Sequence, residues 1–262
     1  MNTSQVENSS RRFKPWIRAL ILFLVYEFLT IGGAFLINSL FSPQTELQTN
    51  IVRAVMCLIY TLSILLLLKV VDRKPISYLK LQVNKKGLIG FIVGTIITGL
   101  VVVGAAFLAP LIFKEQLAVP DDRGWNMFFS AFMAAYVLQG FPEELAYRGY
   151  LNQTLEKKPI PTILISALLF MAMHWNHFFT YQGILAFFEF TYPFAFGLLA
   201  GILLYWTGST WAAVAVHGGI HIFDTITDNF GMLNGSYRTL LTSFLMILVS
   251  VIIILKNPEK FR

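Results

Sequence analysis

The sequence predicts an all-α fold, a polytopic transmembrane helical bundle of about eight spans with both termini on the cytoplasmic side. Three observations carry this expectation. The 262 residues are 56% hydrophobic and only 13% charged, about half the charge of a soluble domain. Apolar runs long enough to cross a bilayer recur along the whole chain. Lysine and arginine fall unevenly between alternate connecting segments.

Residues 1–15 form a polar, cytoplasmic N-terminal tail, with Arg11, Arg12 and Lys14 just ahead of the first apolar run. That start resembles a signal peptide. The run from Trp16 to Leu40 is too long for one and lacks a small-residue cleavage site, so it reads as an uncleaved first span. The second span covers about Ile51–Val71, and a basic loop with Arg73, Lys74, Lys80, Lys85 and Lys86 follows. The third, about Gly87–Phe113, carries glycines at 87, 90, 94, 99 and 104 that suit close helix packing. The loop Lys114–Arg123 is mixed in charge. The fourth span reads best from about Ala131 to Leu155, with Gly140 and Pro142 kinking it ahead of two carboxylates. The fifth to eighth cover about Ile160–Phe179, Ile184–Trp206, Thr210–Ile226 and Leu240–Leu255. With the N-terminus inside, sixteen of the 20 Lys and Arg residues fall on the cytoplasmic side. The net charge of +6 therefore reflects membrane topology and gives no reason to expect nucleic acid. The single cysteine, Cys57, excludes an intrachain disulfide. By domain, residues 1–15 are the tail, 16–126 the N-terminal spans, 127–226 a catalytic core, and 227–262 the last span and cytoplasmic tail.

Glu143, Glu144 and Arg148 lie inside the fourth apolar run. An ionisable group at membrane depth costs roughly 2.5 kcal/mol or more on insertion scales, so it is expected to have a partner or a function. Glu144 and Arg148 are spaced i, i+4 and can pair on one helical face; Glu143 points about 100° away. His174 lies in the fifth span. His217, His221 and Asp224 form a stripe along the seventh. Each has a bland reading as an interhelical hydrogen bond; Asp224 orients His221 or caps its helix, and Glu189 packs or lines an access path. His177 and Asn176 are expected at the outer interface, without a catalytic role. The conjunction of ionisable groups on three spans favours chemistry. Hydrolysis of an amide fits: a carboxylate takes a proton from water, a histidine orients that water, and N–H donors hold the oxyanion. No Gly-x-Ser-x-Gly turn, no cysteine near these residues and no phosphate loop is present. A proton-relay transporter would be expected to show internal repeats, and none stands out.

These residues resemble the motifs of the CPBP family, the CAAX proteases and bacteriocin-processing enzymes also called Abi. Glu143-Glu144 with Arg148 matches Glu-Glu-x-x-x-Arg. Phe170 with His174 matches Phe-x-x-x-His, and His217 opens the third motif, preceded by Ser209-Thr210-Trp211. The resemblance covers about residues 128–226. It implies an intramembrane endopeptidase whose substrate is a membrane-associated protein or peptide. Glu143 would activate water, His174 assist, and His217 with His221 hold the oxyanion, with Glu144 and Arg148 supporting. Some members mature prenylated proteins; others process secreted peptides or confer immunity to them, so a non-catalytic immunity or scaffold protein is the alternative. The chain departs from the family at His221, where asparagine is usual. Both side chains offer an N–H. The change also leaves Glu143, His174, His217 and His221 as acceptable zinc ligands. The endopeptidase branch implies a metal-free reaction, so no cofactor is expected, and a zinc-dependent version is the alternative. The expected location is an integral, multi-pass position in the membrane, the cytoplasmic membrane if the source is bacterial.

Overall fold

The computed structural model describes residues 13–114, 125–155, 157–229, 231 and 236–262, and every regular element among them is helical. Arg11, Arg12 and Arg123, on which part of the orientation argument rests, lie outside the described residues.

Helix α1 spans Pro15–Leu40 and starts with proline at its first turn, where a missing N–H costs no hydrogen bond. It is apolar on all sides, and one face, carrying Arg18, Ala19, Leu22 and Tyr26, is buried. Helix α2, Glu46–Leu67, begins with a reciprocal cap between Thr45 and Gln48. One wide π-turn, Leu68–Asp72, extends it. Arg18 pairs with Asp72 at this end, and both are buried; Arg18 also donates to the Thr154 carbonyl. Helix α3, Lys85–Phe113, is capped by Asn84, which accepts from the backbone N–H groups of Lys86 and Gly87. Its small-residue face packs on the seventh helix: a side chain at Gly94 would come within 2.5 Å of the Ala212 carbonyl. Gly104 faces open space instead, so the expected glycine seam ends before it.

Helix α4 is a composite covering 125–154. Regular turns at Trp125–Phe132 and Phe141–Glu144 alternate with π-turns at Met133–Gly140 and Leu145–Leu151, before a last turn at Asn152–Thr154. The expected disruption at Gly140 and Pro142 thus takes the form of widened turns on both sides of the glutamates. Pro142 has no N–H for the Leu138 carbonyl, so the regular ladder cannot run through it. Such wide turns recur at functional sites. Helix α5, Pro159–Met173, stops earlier than its apolar run, and a single helical turn, His177–Thr180, follows. Helices α6 (Gly183–Thr207), α7 (Thr210–Asn229) and α8 (Ser236–Lys256) complete the bundle. The loop before α3 is tied to the start of α7, because Thr210 donates to the carbonyls of Leu79 and Lys80.

Among the described residues, eight helices follow one another in the order of the eight expected spans. Among the described residues, six are long and apolar enough to cross a membrane, α5 only together with the turn His177–Thr180 that follows it. The two that are not, α4 and α7, carry Glu143, Glu144, Arg148, His217 and His221. The regular turns of α4 are interrupted, and α7 from His217 onward holds two histidines and two aspartates. From Ala212 to Ile220, α7 is buried without a break, packed chiefly on α3, α4 and α6. Apolar helices therefore enclose the polar ones.

Candidate active site

The site forms where α4 crosses α7. Close approach there needs glycine on both helices. A Cβ on Gly218 would overlap the Tyr136 ring, and one on Gly140 would lie 2.6 Å from the Ala135 carbonyl and 3.1 Å from the Gly218 nitrogen. The approach brings α4's carboxylates against His217.

Glu144 has no exposed surface. Its Oε1 accepts from Arg148 Nη1 at 3.0 Å and from His217 Nδ1 at 3.0 Å. A carboxylate can only accept, so Nδ1 of His217 carries the proton and Nε2 is turned the other way. Nε2 lies 4.0 Å from Glu143 Oε2, an oxygen buried without a hydrogen-bond partner. The Glu143 side chain is 13% exposed and forms part of the wall of a cavity of ≈ 370 Å³ between α1, α2 and α4. Tyr26 and Tyr60 also line it, stacked 5.0 Å apart.

Arg148 is fully buried, with Nε and Nη2 unpartnered. Its guanidinium lies over the Phe170 ring at 4.7 Å, a favourable cation–π placement. Gly197 of α6 makes room for it, since a Cβ there would be 2.6 Å from Nη2. Phe170 is the centre of an aromatic wall: Tyr147 at 5.0 Å, Phe196 at 4.8 Å, His174 at 4.7 Å and His217 at 5.9 Å.

His174 is not in a continuous helix, as its sequence context predicts, but at the end of α5. Its backbone N–H bonds to Met171, which leaves the Phe170 carbonyl free of its helical donor. The His174 Nδ1–H donates to that carbonyl at 2.9 Å. The remaining nitrogen, Nε2, is then an acceptor in the neutral ring. His221 is partly buried one turn beyond His217, the two rings 5.5 Å apart. Among the described residues, no three His, Cys, Asp or Glu side chains are grouped to hold a metal ion.

The structure thus brings Glu143, Glu144, Arg148 and His217 into one contiguous network. It sets His221 beside them and His174 across the Phe170 ring. It does not bring Asp224 to His221: Asp224 pairs with Arg238 of α8, which also binds Asp228 at 2.9 Å. Glu189 accepts from Thr239 at 2.9 Å, and its carbonyl accepts from His177, so both are bonded between helices. Sequence reasoning missed the Glu144–His217 bond, and it missed Phe196 and Gly197, which sit in an apolar run with no polar residue beside them.

A multi-helix bundle of membrane length, with its carboxylates and imidazoles enclosed, defines an integral, multi-pass membrane protein. Residues 124–223 match the family model described as Type II CAAX prenyl endopeptidase Rce1-like, so this segment is similar to that CAAX protease family. The match contains Glu143, Glu144, Arg148, His174, His217 and His221. No curated protein matches the chain.

Proposed function

We propose that this protein is an intramembrane endopeptidase. It hydrolyses a peptide bond of a membrane-associated protein or peptide with a water activated by Glu143. One observation carries the reading: the unpartnered Glu143 oxygen sits 4.0 Å from His217 Nε2, in a carboxylate that opens onto a cavity.

Water held at Glu143 loses a proton to the carboxylate as its oxygen bonds to the scissile carbonyl carbon. The carbonyl oxygen becomes the oxyanion. His217 and His221 supply N–H groups to it. With Nδ1–H committed to Glu144, His217 donates from Nε2 only when that nitrogen is also protonated, and the Glu144 carboxylate is the counter-charge for that form. His174, its Nδ1–H fixed on Phe170, offers Nε2 as an acceptor that orients the water. When the carbon–nitrogen bond breaks, Glu143 returns its proton to the leaving amine. Products are a new carboxylate and a new amine.

The family description names prenylated CAAX chains, and a peptide with an S-farnesyl cysteine is the first substrate to try. Detergent-purified protein should cleave it and leave products summing to the peptide plus one water by mass. A folded, monodisperse protein inactive on prenylated and unprenylated peptides alike would overturn the reading. We further place both termini in the cytoplasm. Cysteines introduced at Asn8 and Pro258 should resist membrane-impermeant labelling in intact cells; labelling of either from outside contradicts that orientation.

A further inference from the structure

A separate cavity, of ≈ 490 Å³, lies between the start of α3 and the end of α6, lined by Lys85, Lys86, Ile89, Val93, Trp206 and Thr207. Both lysines are exposed, and among the described residues their ammonium groups meet no carboxylate and no hydrogen-bond acceptor. Lys86 is turned in toward the end of α6: a side chain at Gly208 would come within 2.6 Å of its Nζ. Lys80, in the loop before α3, adds a third positive charge, its ammonium 5.5 Å from the centre of the Tyr205 ring. Burial and the neighbouring Lys86 charge pull Lys80 below the usual lysine range. Like charges gathered this way repel one another, and an anion between them relieves the repulsion. Trp206 forms a fixed wall. Its indole N–H donates to Asn257 at 3.2 Å, and its carbonyl accepts from Lys260. Tryptophan is the residue that favours the headgroup level of a bilayer.

Beyond the lysines the lining is hydrocarbon. Lys86, Ile89, Val93, Ile96 and Leu100 recur every three or four residues, so they share one face of α3. Ile96 and Leu100 belong to the next cavity along that face, ≈ 540 Å³ in volume and also walled by Val103, Phe107 and Phe223. Lys86 and Ile96 are ten residues apart, about 15 Å of helix. That is half of a hydrocarbon core about 30 Å thick. One acyl tail therefore runs from the lysines to the point where the next cavity opens. A small inorganic anion would use the charges and leave the groove bare. A lipid without net charge would fill the groove and leave the charges uncompensated.

We propose that the seam between α3 and α6 binds a phospholipid with an anionic headgroup, its phosphate held by Lys85 and Lys86 and one acyl tail laid along Ile89, Val93 and Ile96. Basic pockets between membrane helices take such headgroups for this reason. The bound lipid clamps α3 to α6, two of the helices on which the buried part of α7 packs. The site does not depend on the peptidase reading.

Native mass spectrometry of the delipidated full chain in detergent tests this, with dioleoyl phosphatidylglycerol and dioleoyl phosphatidylcholine titrated in parallel. A lysine at a headgroup is worth about fivefold in affinity, so the first phosphatidylglycerol should bind about 25-fold more tightly than phosphatidylcholine. Lys85→Gln/Lys86→Gln should remove most of that preference, and with it the rise in melting temperature that phosphatidylglycerol gives the parent. If the double variant fails to fold, Lys85→Gln alone carries the test, with a drop of about fivefold. Lys157→Gln/Lys158→Gln removes the same charge from two other exposed lysines and should leave the preference intact. Val93→Trp fills the groove and should weaken both lipids alike. Excess inorganic phosphate should not displace the lipid. Equal binding of the two lipids, or a preference that survives Lys85→Gln/Lys86→Gln, overturns the proposal. So does an equal loss in the Lys157→Gln/Lys158→Gln control, displacement by inorganic phosphate, or a dimer that carries no lipid.

Discussion

On one side of α4, Glu144 has no exposed surface and shares one carboxylate oxygen between Arg148 and His217. On the other side, its neighbour Glu143 is 13% exposed, opens onto a cavity and has an unpartnered buried oxygen. The two residues are chemically identical and adjacent in sequence. A helical turn of about 100° between them is enough to give one a structural environment and the other a reactive one. Each carboxylate keeps a buried Oε2 without a hydrogen-bond partner, so a free oxygen does not separate them. Glu144 is enclosed and holds a guanidinium and an imidazole through Oε1, whereas Glu143 reaches a cavity from which water can approach it. The division of labour is therefore set by which face of α4 each residue occupies.

The sharpest way to break this comparison is to neutralise each side in turn. Glu143→Gln keeps the shape and removes the base. Turnover should fall by about 10³-fold, in the middle of the 10²–10⁴ range for a general acid–base group, while thermal stability stays within about 0.5 kcal/mol. A Glu143→Gln protein that melts far earlier than the parent would mean that Glu143, too, is structural. Arg148→Ala acts on the other side. It strands the buried Glu144 carboxylate and should destabilise the protein by about 3–5 kcal/mol, read as lower yield and a lower melting temperature in detergent. An Arg148→Ala protein of parental stability with no activity would move Arg148 from support to substrate contact.

How far these roles were legible in the sequence follows the same division. The pair Glu144–Arg148 and the row His217–His221 are local patterns, one helical turn apart, and period alone exposes them. The bond from Glu144 to His217 joins residues on α4 and α7, and no local pattern encodes it. Asp224 shows the cost of local reasoning: its spacing puts it on the His221 stripe, yet an arginine on α8 takes it. The eight helices were legible from hydropathy, but the π-turns of α4 and the early end of α5 at His174 were not. Those features depend on which carbonyls proline and a histidine ring leave or take, and that is decided after the helices pack.

His221 tests whether the Glu143 side extends along α7. His221→Ala removes an N–H beside His217 and should cost about 10²-fold in turnover, as for one missing oxyanion donor. His221→Asn replaces the donor and should recover to within about tenfold of the parent. Asparagine is a poor zinc ligand, so a zinc-dependent site predicts an inactive Asn variant and a parent that loses activity to chelator with stoichiometric zinc in elemental analysis.

The smallest expected effect probes the Glu144 side without touching charge. Gly197 of α6 faces the Arg148 guanidinium, and an added Cβ would sit 2.6 Å from Nη2 and 3.4 Å from the Ala167 backbone. Ala167 cannot yield, because it is backbone of α5, so the guanidinium must. It is already hemmed by the Phe170 ring at 4.7 Å. Gly197→Ala should therefore cost about 1–3 kcal/mol, the range for overpacking a filled core, offset in part by the better helix propensity of alanine. If the two sides of α4 are independent, the melting temperature drops while turnover per folded molecule holds within a few-fold. If turnover falls as steeply as in Glu143→Gln, the Arg148–Glu144–His217 chain transmits position to the reactive side, and the two glutamates act as one unit.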